Sequence, residues 1–297
     1  MVDTLDAVDP EQIASRADVI FTATPSGVSG KLVPALLATG KPVIDLSGDF
    51  RLQDRAVYET WYKGHQAPDH GVLTQAVYGL AEIYPEQIRD ATLIANPGCY
   101  PTAATLGLIP ALEAGAIDPS TIIIDAKSGV SGAGRGLNIG VHYAEINENF
   151  RAYKLNKHQH IPEIERVLSD RAKEEVTITF TTHLVPMTRG IMCTMYASVR
   201  NDAFLSDRAW IEHYREYYQG RKFVRVRAAG SWPATKEVWG SNYCDLGFSF
   251  DVRTGRITIV SVIDNLVKGA AGQAIQNWNI MNGWTEETGL LLAPSYP

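Results

Sequence analysis

The chain of 297 residues is 45% hydrophobic and 20% charged, and its formal net charge is −6. This length suffices for two domains, and the acidic balance argues against a general nucleic-acid or membrane-surface binder. No apolar run approaches the roughly 20 residues of a membrane span, and the three widely separated cysteines do not predict a disulfide framework. We therefore expect a cytoplasmic protein with no nucleic-acid and no membrane partner.

The N-terminal third predicts a parallel β-sheet. An apolar strand over 18–24 is followed by a Pro-Ser-Gly turn, a helix over 29–39 and a second strand over 41–46. Strand, helix and strand in this order form a βαβ unit, whose two strands run parallel. The loop 47–52 leaves the carboxyl end of the second strand, where open α/β sheets bind ligands. A third strand is predicted over 92–95, after a polar stretch with short helices.

The rest of the chain predicts a mixed domain and a final helix. A helix over 102–114 and a strand over 121–126 come first, and strands then dominate over 176–183, 191–199, 224–228, 244–252 and 257–263. Partial alternation of apolar and polar residues in the second and the last two of these favours an antiparallel sheet with one covered face. A helix near 206–219 interrupts the strands, and a helix over 265–282 is expected to return to the first domain.

Cys99 is the candidate nucleophile. It precedes a helix that is expected to begin near Pro101, because proline fixes φ near the helical value and lacks an amide hydrogen. Free N–H groups and the positive end of the helix dipole lower the pKa of a thiol and favour the thiolate. The alternative interpretation is a buried structural cysteine, which is the more usual state of a free Cys.

Histidine is the side chain whose pKa suits the acid or base that a reactive cysteine needs. Of the seven histidines, His158 and His160 are the best candidates, because a loop before a helix starting at Pro162 would expose their side chains. No second cysteine lies at chelating spacing from Cys99, so no metal site is expected.

Arg51 and Arg189 each follow a strand and could bind a phosphate or carboxylate through two parallel hydrogen bonds, with a surface salt bridge as the alternative. The glycine-rich turn over 128–136 could bring backbone amides close to an anion or cofactor, or be only a wide turn. It is not a Rossmann fingerprint, because Leu137 stands where the third glycine is required. These residues alone leave open a thiol hydrolase or acyl transferase, a nicotinamide-dependent reductase, and a non-catalytic binding module.

Several motifs together resemble the N-acetyl-gamma-glutamyl-phosphate reductase family of arginine biosynthesis. The segment Ala95-Asn-Pro-Gly-Cys-Tyr-Pro-Thr102 matches the nucleophile motif of that family and is the most specific. The other motifs follow in the family's order, and they are Asp18-Val-Ile-Phe with Thr24-Pro-Ser-Gly-Val28, Ser47-Gly-Asp-Phe-Arg-Leu52, Ser128-Gly-Val-Ser-Gly-Ala-Gly-Arg135, His158-Gln-His-Ile-Pro-Glu-Ile164, Val185-Pro-Met-Thr-Arg-Gly-Ile191 and Asp264-Asn-Leu-Val-Lys-Gly-Ala-Ala-Gly-Gln-Ala274.

The resemblance implies an NADPH-dependent reduction of N-acetyl-glutamyl 5-phosphate to the 5-semialdehyde and phosphate through a thioester on Cys99. It implies His160 as the acid–base group, with His158 as the less favoured alternative, and a homo-oligomer, either dimer or tetramer. Arg51 and Arg189 become candidates for the phosphate and carboxylate of a small acyl-phosphate substrate. The candidates along NADP(H) are Ser26, Gly27, Ser128, Gly129, Gly132, Gly134 and Asn265. A related reductase of an amino-adipyl phosphate in lysine biosynthesis is the alternative.

Members of that family begin with a strand and a Gly-x-x-Gly-x-x-Gly turn that holds the cofactor pyrophosphate, and no such turn precedes Asp18. The expected fold is therefore α/β, with an N-terminally incomplete Rossmann-type nucleotide-binding domain over 1–98 and 265–297. An α+β catalytic domain with a mixed, largely antiparallel sheet is expected over 99–264. We expect the 297-residue chain to bind NADPH weakly, because that turn supplies hydrogen bonds to the pyrophosphate at a helix N-terminus.

Overall fold

The structure, a computed structural model, describes residues 8–296. Its first sheet has four parallel strands in the order β1-β2-β4-β3. These strands are β1 Ile20–Thr22, β2 Val43–Asp45, β3 Val77–Tyr78 and β4 Leu93–Ala95. The helices around this sheet are α1 Pro10–Ala14, α2 Ser29–Ala38, α3 Arg55–Trp61, α4 His70–Gln75 and α5 Pro85–Arg89. Within the described residues β1 pairs only with β2, and the short strand β3 was not predicted.

The second sheet has seven strands in the order β6-β7-β5-β8-β11-β10-β9. Its strands are β5 Ile123–Ser128, β6 Arg151–Tyr153, β7 Thr179–Leu184, β8 Ile191–Ser198, β9 Val224–Val226, β10 Cys244–Asp251 and β11 Arg256–Ile263. The pairs β5/β7 and β9/β10 are parallel and the others antiparallel, which confirms the predicted mixed, largely antiparallel sheet. The sequence did not predict β6.

The remaining α-helices of the described chain are α6 Cys99–Glu113, α7 Tyr143–Ile146, α8 His160–Ala172, α9 Asp207–Tyr217 and α10 Gly272–Met281. In α6 every side chain from Tyr100 to Leu112 is buried, as expected for a helix that is apolar on all sides. It packs between α8 and the strands β8 and β11. The amino end of α6 therefore lies deep in the molecule, with Cys99 as its first residue.

The C-terminal segment packs on the first sheet. Ala274 and Ile280 of α10 belong to a hydrophobic cluster with Ile44 and Ile94. The helix predicted over 265–282 is in two parts, because a π-helical turn over Val267–Ala271 precedes α10. The domain boundaries at 98 and 265 stay a prediction.

A buried ion pair joins this segment to the first sheet. Lys268 Nζ donates to Glu82 Oε1 at 2.6 Å and to Gln276 Oε1 at 2.7 Å, and both charged side chains are at most 1% exposed. Lys268 and the hydrogen bond from Gln276 outweigh burial and lower the pKa of Glu82. Within residues 8–296 no helix is long and apolar enough to cross a membrane.

Candidate active site

Cys99 is the first residue of α6, and Gly98 is the N-cap residue. The helix thus begins two residues before Pro101, where the sequence predicted its start. Thr102 closes the first turn, because both its amide and its hydroxyl donate to the Gly98 carbonyl at 2.9 Å. The partly exposed Cys99 side chain lies beside the N–H groups of this turn, which have no partner inside the helix.

Burial raises the pKa of the Cys99 thiol to about 11, and the positive charge of Arg51, which lowers it, offsets only part of that effect. The prediction that a helix start would give a low thiol pKa is therefore wrong for the free protein. At the end of a buried helix, the loss of water around a thiolate costs more than the nearby N–H groups return. Cys99 is protonated at neutral pH and needs a base.

His158 and His160 are both buried, at 4% and 8% exposure, so the expectation of exposed side chains in a loop is wrong. The physical reason is that α8 begins at His160 itself, and its first turn packs into the core. Burial lowers the pKa of His158 to about 2 and lowers that of His160 well below its usual value. Both imidazoles are therefore neutral in the free protein.

His160 approaches the start of α6 closely. A Cβ atom at position 98 would lie 2.5 Å from His160 Nε2 and 3.0 Å from Arg51 Nη1. Real Cβ contacts are not that short, so glycine at 98 is what allows these two side chains to reach the residue before Cys99.

Arg51, which the sequence analysis proposed for the substrate, is engaged by protein groups, and its role toward the substrate stays a prediction. Its Nε donates to the Asn96 carbonyl at 2.8 Å and its Nη2 to the Leu46 carbonyl at 2.7 Å. Its Nη1 lies 3.5 Å from Glu163 Oε2, and the residue is only 7% exposed. The buried guanidinium fixes the backbone after β2 and β4 and adds a positive charge near Cys99.

Glu163 is a site residue that the sequence did not single out, although it lies in the motif 158–164. Its carboxylate is fully buried, and Oε1 accepts from the Tyr78 hydroxyl and from the Gly98 amide, both at 2.8 Å. Glu163 is one helical turn after His160 on α8. The same carboxylate thus connects the helix that carries the histidine to the residue before the cysteine.

Arg189 is not among the residues that line the cavity containing Cys99, and its role toward the substrate stays a prediction. Its Nη2 donates to Asp264 Oδ1 at 3.1 Å, so the guanidinium holds the β7–β8 loop to the end of β11. In the same region, a Cβ at Gly129 would lie 2.8 Å from the backbone nitrogen of Arg189 and 2.9 Å from the backbone carbonyl oxygen of Met187. Gly129 therefore serves close backbone packing.

The cavity at Cys99 has a volume of about 410 Å³ and brings together the nucleophile and both histidines. Its wall also includes Ser128 and Gly132 from the glycine-rich turn, as well as two cationic side chains, Arg151 and Lys154. The sequence analysis missed these two cations. They belong to the polar segment before the two histidines, with Arg151 in the unpredicted strand β6 and Lys154 directly after it.

A second cavity, of about 600 Å³, contains Ser26 and shares Lys154 and Gln159 with the first. Its other lining residues are Thr60, Trp61, Tyr62, Lys63, His65, Asn156 and Lys157. None of its lining side chains is acidic, so the wall suits the phosphates of a nucleotide. The shared residues make the two cavities neighbours.

Three other residues that the sequence analysis proposed for cofactor binding, Gly27, Gly134 and Asn265, do not line these two cavities but contribute to loop structure. Gly27 has a φ of +84° and donates its amide to the Asp49 carboxylate at 2.8 Å. Asn265 accepts from the Gly190 amide at 2.7 Å and donates to Ser131 Oγ at 3.0 Å. Gly134, with a φ of +75°, ends the short helical turn after β5. Among residues 8–296 no group of His, Cys, Asp or Glu could hold a metal ion.

Two family models match the chain. One is described as the semialdehyde dehydrogenase NAD-binding domain and matches residues 3–91, and the other as the semialdehyde dehydrogenase dimerisation domain and matches residues 99–265. The chain is 58% identical to an N-acetyl-gamma-glutamyl-phosphate reductase of Geobacillus sp. (strain WCH70) and 54% identical to one of Bacillus subtilis (strain 168). Both alignments cover 99% of this chain and 84% of the relative.

Solved structures of semialdehyde dehydrogenases share the fold. Aspartate semialdehyde dehydrogenase II from Vibrio cholerae superposes with a TM-score of 0.68 at 18% identity, covering 95% of this chain and 82% of its own. The Candida albicans enzyme, solved with NADP, gives 0.64 at 14% identity and covers 90% and 78%. The predicted α/β architecture is thereby confirmed.

We expect Glu163→Gln to lower the free energy of unfolding by about 3–5 kcal/mol, as measured by urea denaturation. Glutamine still accepts from Tyr78 and Gly98, so the lost quantity is the negative charge opposite the buried Arg51. The matched control is Glu174→Gln, whose exposed pair with Arg200 should contribute less than about 1 kcal/mol. Equal losses in the two variants would show that Glu163 does not balance the Arg51 charge.

Proposed function

The chain belongs to the N-acetyl-gamma-glutamyl-phosphate reductase family, and from this membership we propose that the cavity at Cys99 reduces N-acetyl-glutamyl 5-phosphate to the semialdehyde and phosphate. It is an enzyme of the semialdehyde dehydrogenase type. The observation that carries the assignment of the site is that a helix-start cysteine and two neutral histidines line one cavity. From the family membership we assign this reaction to arginine biosynthesis.

His160 is the proposed base. It is neutral, its Nε2 lies against the residue before Cys99, and the thiol is protonated at neutral pH. The imidazole takes the thiol proton as sulfur attacks the acyl carbon. The C–S bond forms, the bond from carbon to the phosphate oxygen breaks, and phosphate leaves with the electron pair, which gives a thioester on Cys99.

The match to an NAD-binding domain supports a nicotinamide cofactor, and we propose NADP(H). When bound, the reduced cofactor supplies the hydride that the thioester carbon accepts. The residues of the second cavity fit its phosphates, because Lys63, Lys154 and Lys157 line it together with His65 and no carboxylate. The weak NADPH binding expected from the sequence stays a prediction.

Two further tasks fall to the protein after reduction. The N–H groups of the first turn of α6 stabilise the negative oxygen of the thiohemiacetal, since helix N-termini favour developing anions. The proton taken by His160 returns to sulfur as the C–S bond breaks and the aldehyde leaves.

Arg151 and Lys154 are the proposed partners of the substrate's phosphate and carboxylate, in place of Arg51 and Arg189. Both line the cavity at Cys99. Arg151 is held by a hydrogen bond from Nη2 to the Gly140 carbonyl, and Lys154 Nζ donates to Gln159 Oε1 at 3.0 Å. Each keeps further N–H donors for an anion.

The exposed face of the second sheet is the proposed surface for a second copy of this chain. Alternate residues of β8 face away from the helices, and Tyr196 lies directly beside Ile123 and Thr258 on that face. Ile123 is 36% exposed. The domain that contains this sheet matches the family's dimerisation domain, which supports a homo-oligomer formed through it.

Cys99→Ser should abolish both reduction of the acyl phosphate and phosphate-dependent oxidation of the aldehyde, because a serine alkoxide is far harder to form. Mass spectrometry of the wild type after addition of acyl phosphate, without cofactor, should show one acyl adduct on Cys99. Cys193 and Cys244 are fully buried and act as internal controls. An adduct on either of them, or an active serine variant, would contradict the assignment.

Lys154→Met and Arg151→Met should each raise the KM for the acyl phosphate about 10- to 100-fold, since a hydrogen bond to a charged group contributes about 1.5–3 kcal/mol. Steady-state kinetics at saturating NADPH measure this. Lys173→Met is the control, because Lys173 lies at the far end of α8 with a well-exposed side chain. An unchanged KM in both cavity variants would mean that other groups hold the anions.

Tyr196→Lys should convert a dimer into a monomer, because it places a charge within the proposed contact face. Analytical ultracentrifugation of the two proteins measures the mass in solution. A wild-type protein that sediments as a monomer would contradict the proposed interface.

A further inference from the structure

The tautomer of His158 is fixed by the backbone of the other histidine. His158 Nδ1 accepts a hydrogen bond from the His160 amide at 3.1 Å. An imidazole nitrogen that accepts from an N–H group carries no proton, so the ring proton of His158 is on Nε2. Protonating Nδ1 would set two N–H groups against each other and break this bond.

The surroundings of His158 keep its ring neutral. The rings of Tyr100, Tyr153 and Phe180 enclose it, with centroids 5.6, 5.7 and 5.6 Å away and their planes steeply inclined to the imidazole. The charged or titratable groups that act on it are His160 and Lys154, and both oppose a positive charge on the ring. Burial raises the pKa of Tyr153 to about 12, so neither this phenol nor that of Tyr100, whose pKa also rises, supplies an anion.

Within the described part of the chain, the Nε2 atom of His158 is unpaired and accessible. It has no hydrogen-bond partner among residues 8–296, yet it is not one of the buried unpaired atoms of that region, whereas Nδ1 of His160 is. His158 also lines the cavity wall. This ring therefore offers an accessible, neutral N–H donor in the wall of the cavity that the substrate would fill.

We propose that His158 donates a hydrogen bond from Nε2 to the acyl oxygen of the substrate as Cys99 attacks, and keeps its proton throughout. The acyl oxygen gains negative charge in this step and again on reduction, and a fixed donor in a dry site stabilises such charge. His160 then moves the proton while His158 holds the oxygen, which divides the two histidines by role. This inference rests on the proposed function.

The first test needs no activity and uses the wild-type protein. Two-bond ¹H–¹⁵N correlation spectra, with His158→Gln to assign the signals, should show the Nε2–H tautomer of His158 unchanged from about pH 5.5 to 8.5. A His158 that titrates in this range, or that carries its proton on Nδ1, overturns the inference while leaving the proposed function intact.

The second test distinguishes the hydrogen bond that His158 donates from the space that its side chain fills. Loss of one such donor lowers kcat by about 10²- to 10³-fold, so His158→Leu should show that loss with little change in KM. His158→Gln keeps a neutral N–H donor and should retain within about ten-fold of the wild-type kcat, with the same pH profile. Equal rates in the leucine and glutamine variants overturn the inference, whereas a wild type without reductase activity overturns the proposed function instead.

Discussion

The buried carboxylate of Glu163 is the constraint on which the site depends. It accepts from the Gly98 amide and the Tyr78 hydroxyl and faces the buried guanidinium of Arg51, so it joins the start of α6, the end of β3 and the loop after β2. A charge removed from water is costly unless it is paired and hydrogen-bonded, and these partners meet that condition. Because Glu163 is on the helix of His160, this one network connects that helix to the residue before Cys99.

Burial also sets the charge state of the proposed catalytic groups, Cys99, His158 and His160. The free protein holds a protonated cysteine and two neutral imidazoles. Burial alone would lower the pKa of Arg51, but Glu163 and its other neighbours raise it, so the guanidinium is a permanent positive charge that acts on Cys99. In the proposed reaction, attack on the substrate therefore starts with a proton transfer inside a low-dielectric cavity, where a donor or a charge acts strongly.

The cationic side chains divide between two duties according to where their neighbours lie. Arg51 and Arg189 stabilise loops through backbone carbonyls and through Asp264, whereas Arg151 and Lys154 line the cavity. The residues of both groups lie in a strand or follow one, so their positions in the sequence do not show which of them hold loops and which line the cavity. The direction of each side chain depends on the partners that other segments bring to it.

The sequence by itself determined the βαβ start, the mixed second sheet, a helix start within two residues of Cys99 and the two neighbouring histidines, because each depends on local periodicity, on proline and glycine, or on a short motif. The burial of the histidines, the high pKa of the thiol and the engagement of Arg51 were decided only by tertiary structure. These properties depend on residues far apart in the chain, such as Gly98 and Glu163, which are 65 positions apart. The extent to which water is excluded from a side chain depends on all the distant segments that pack against it, and no local sequence pattern encodes it.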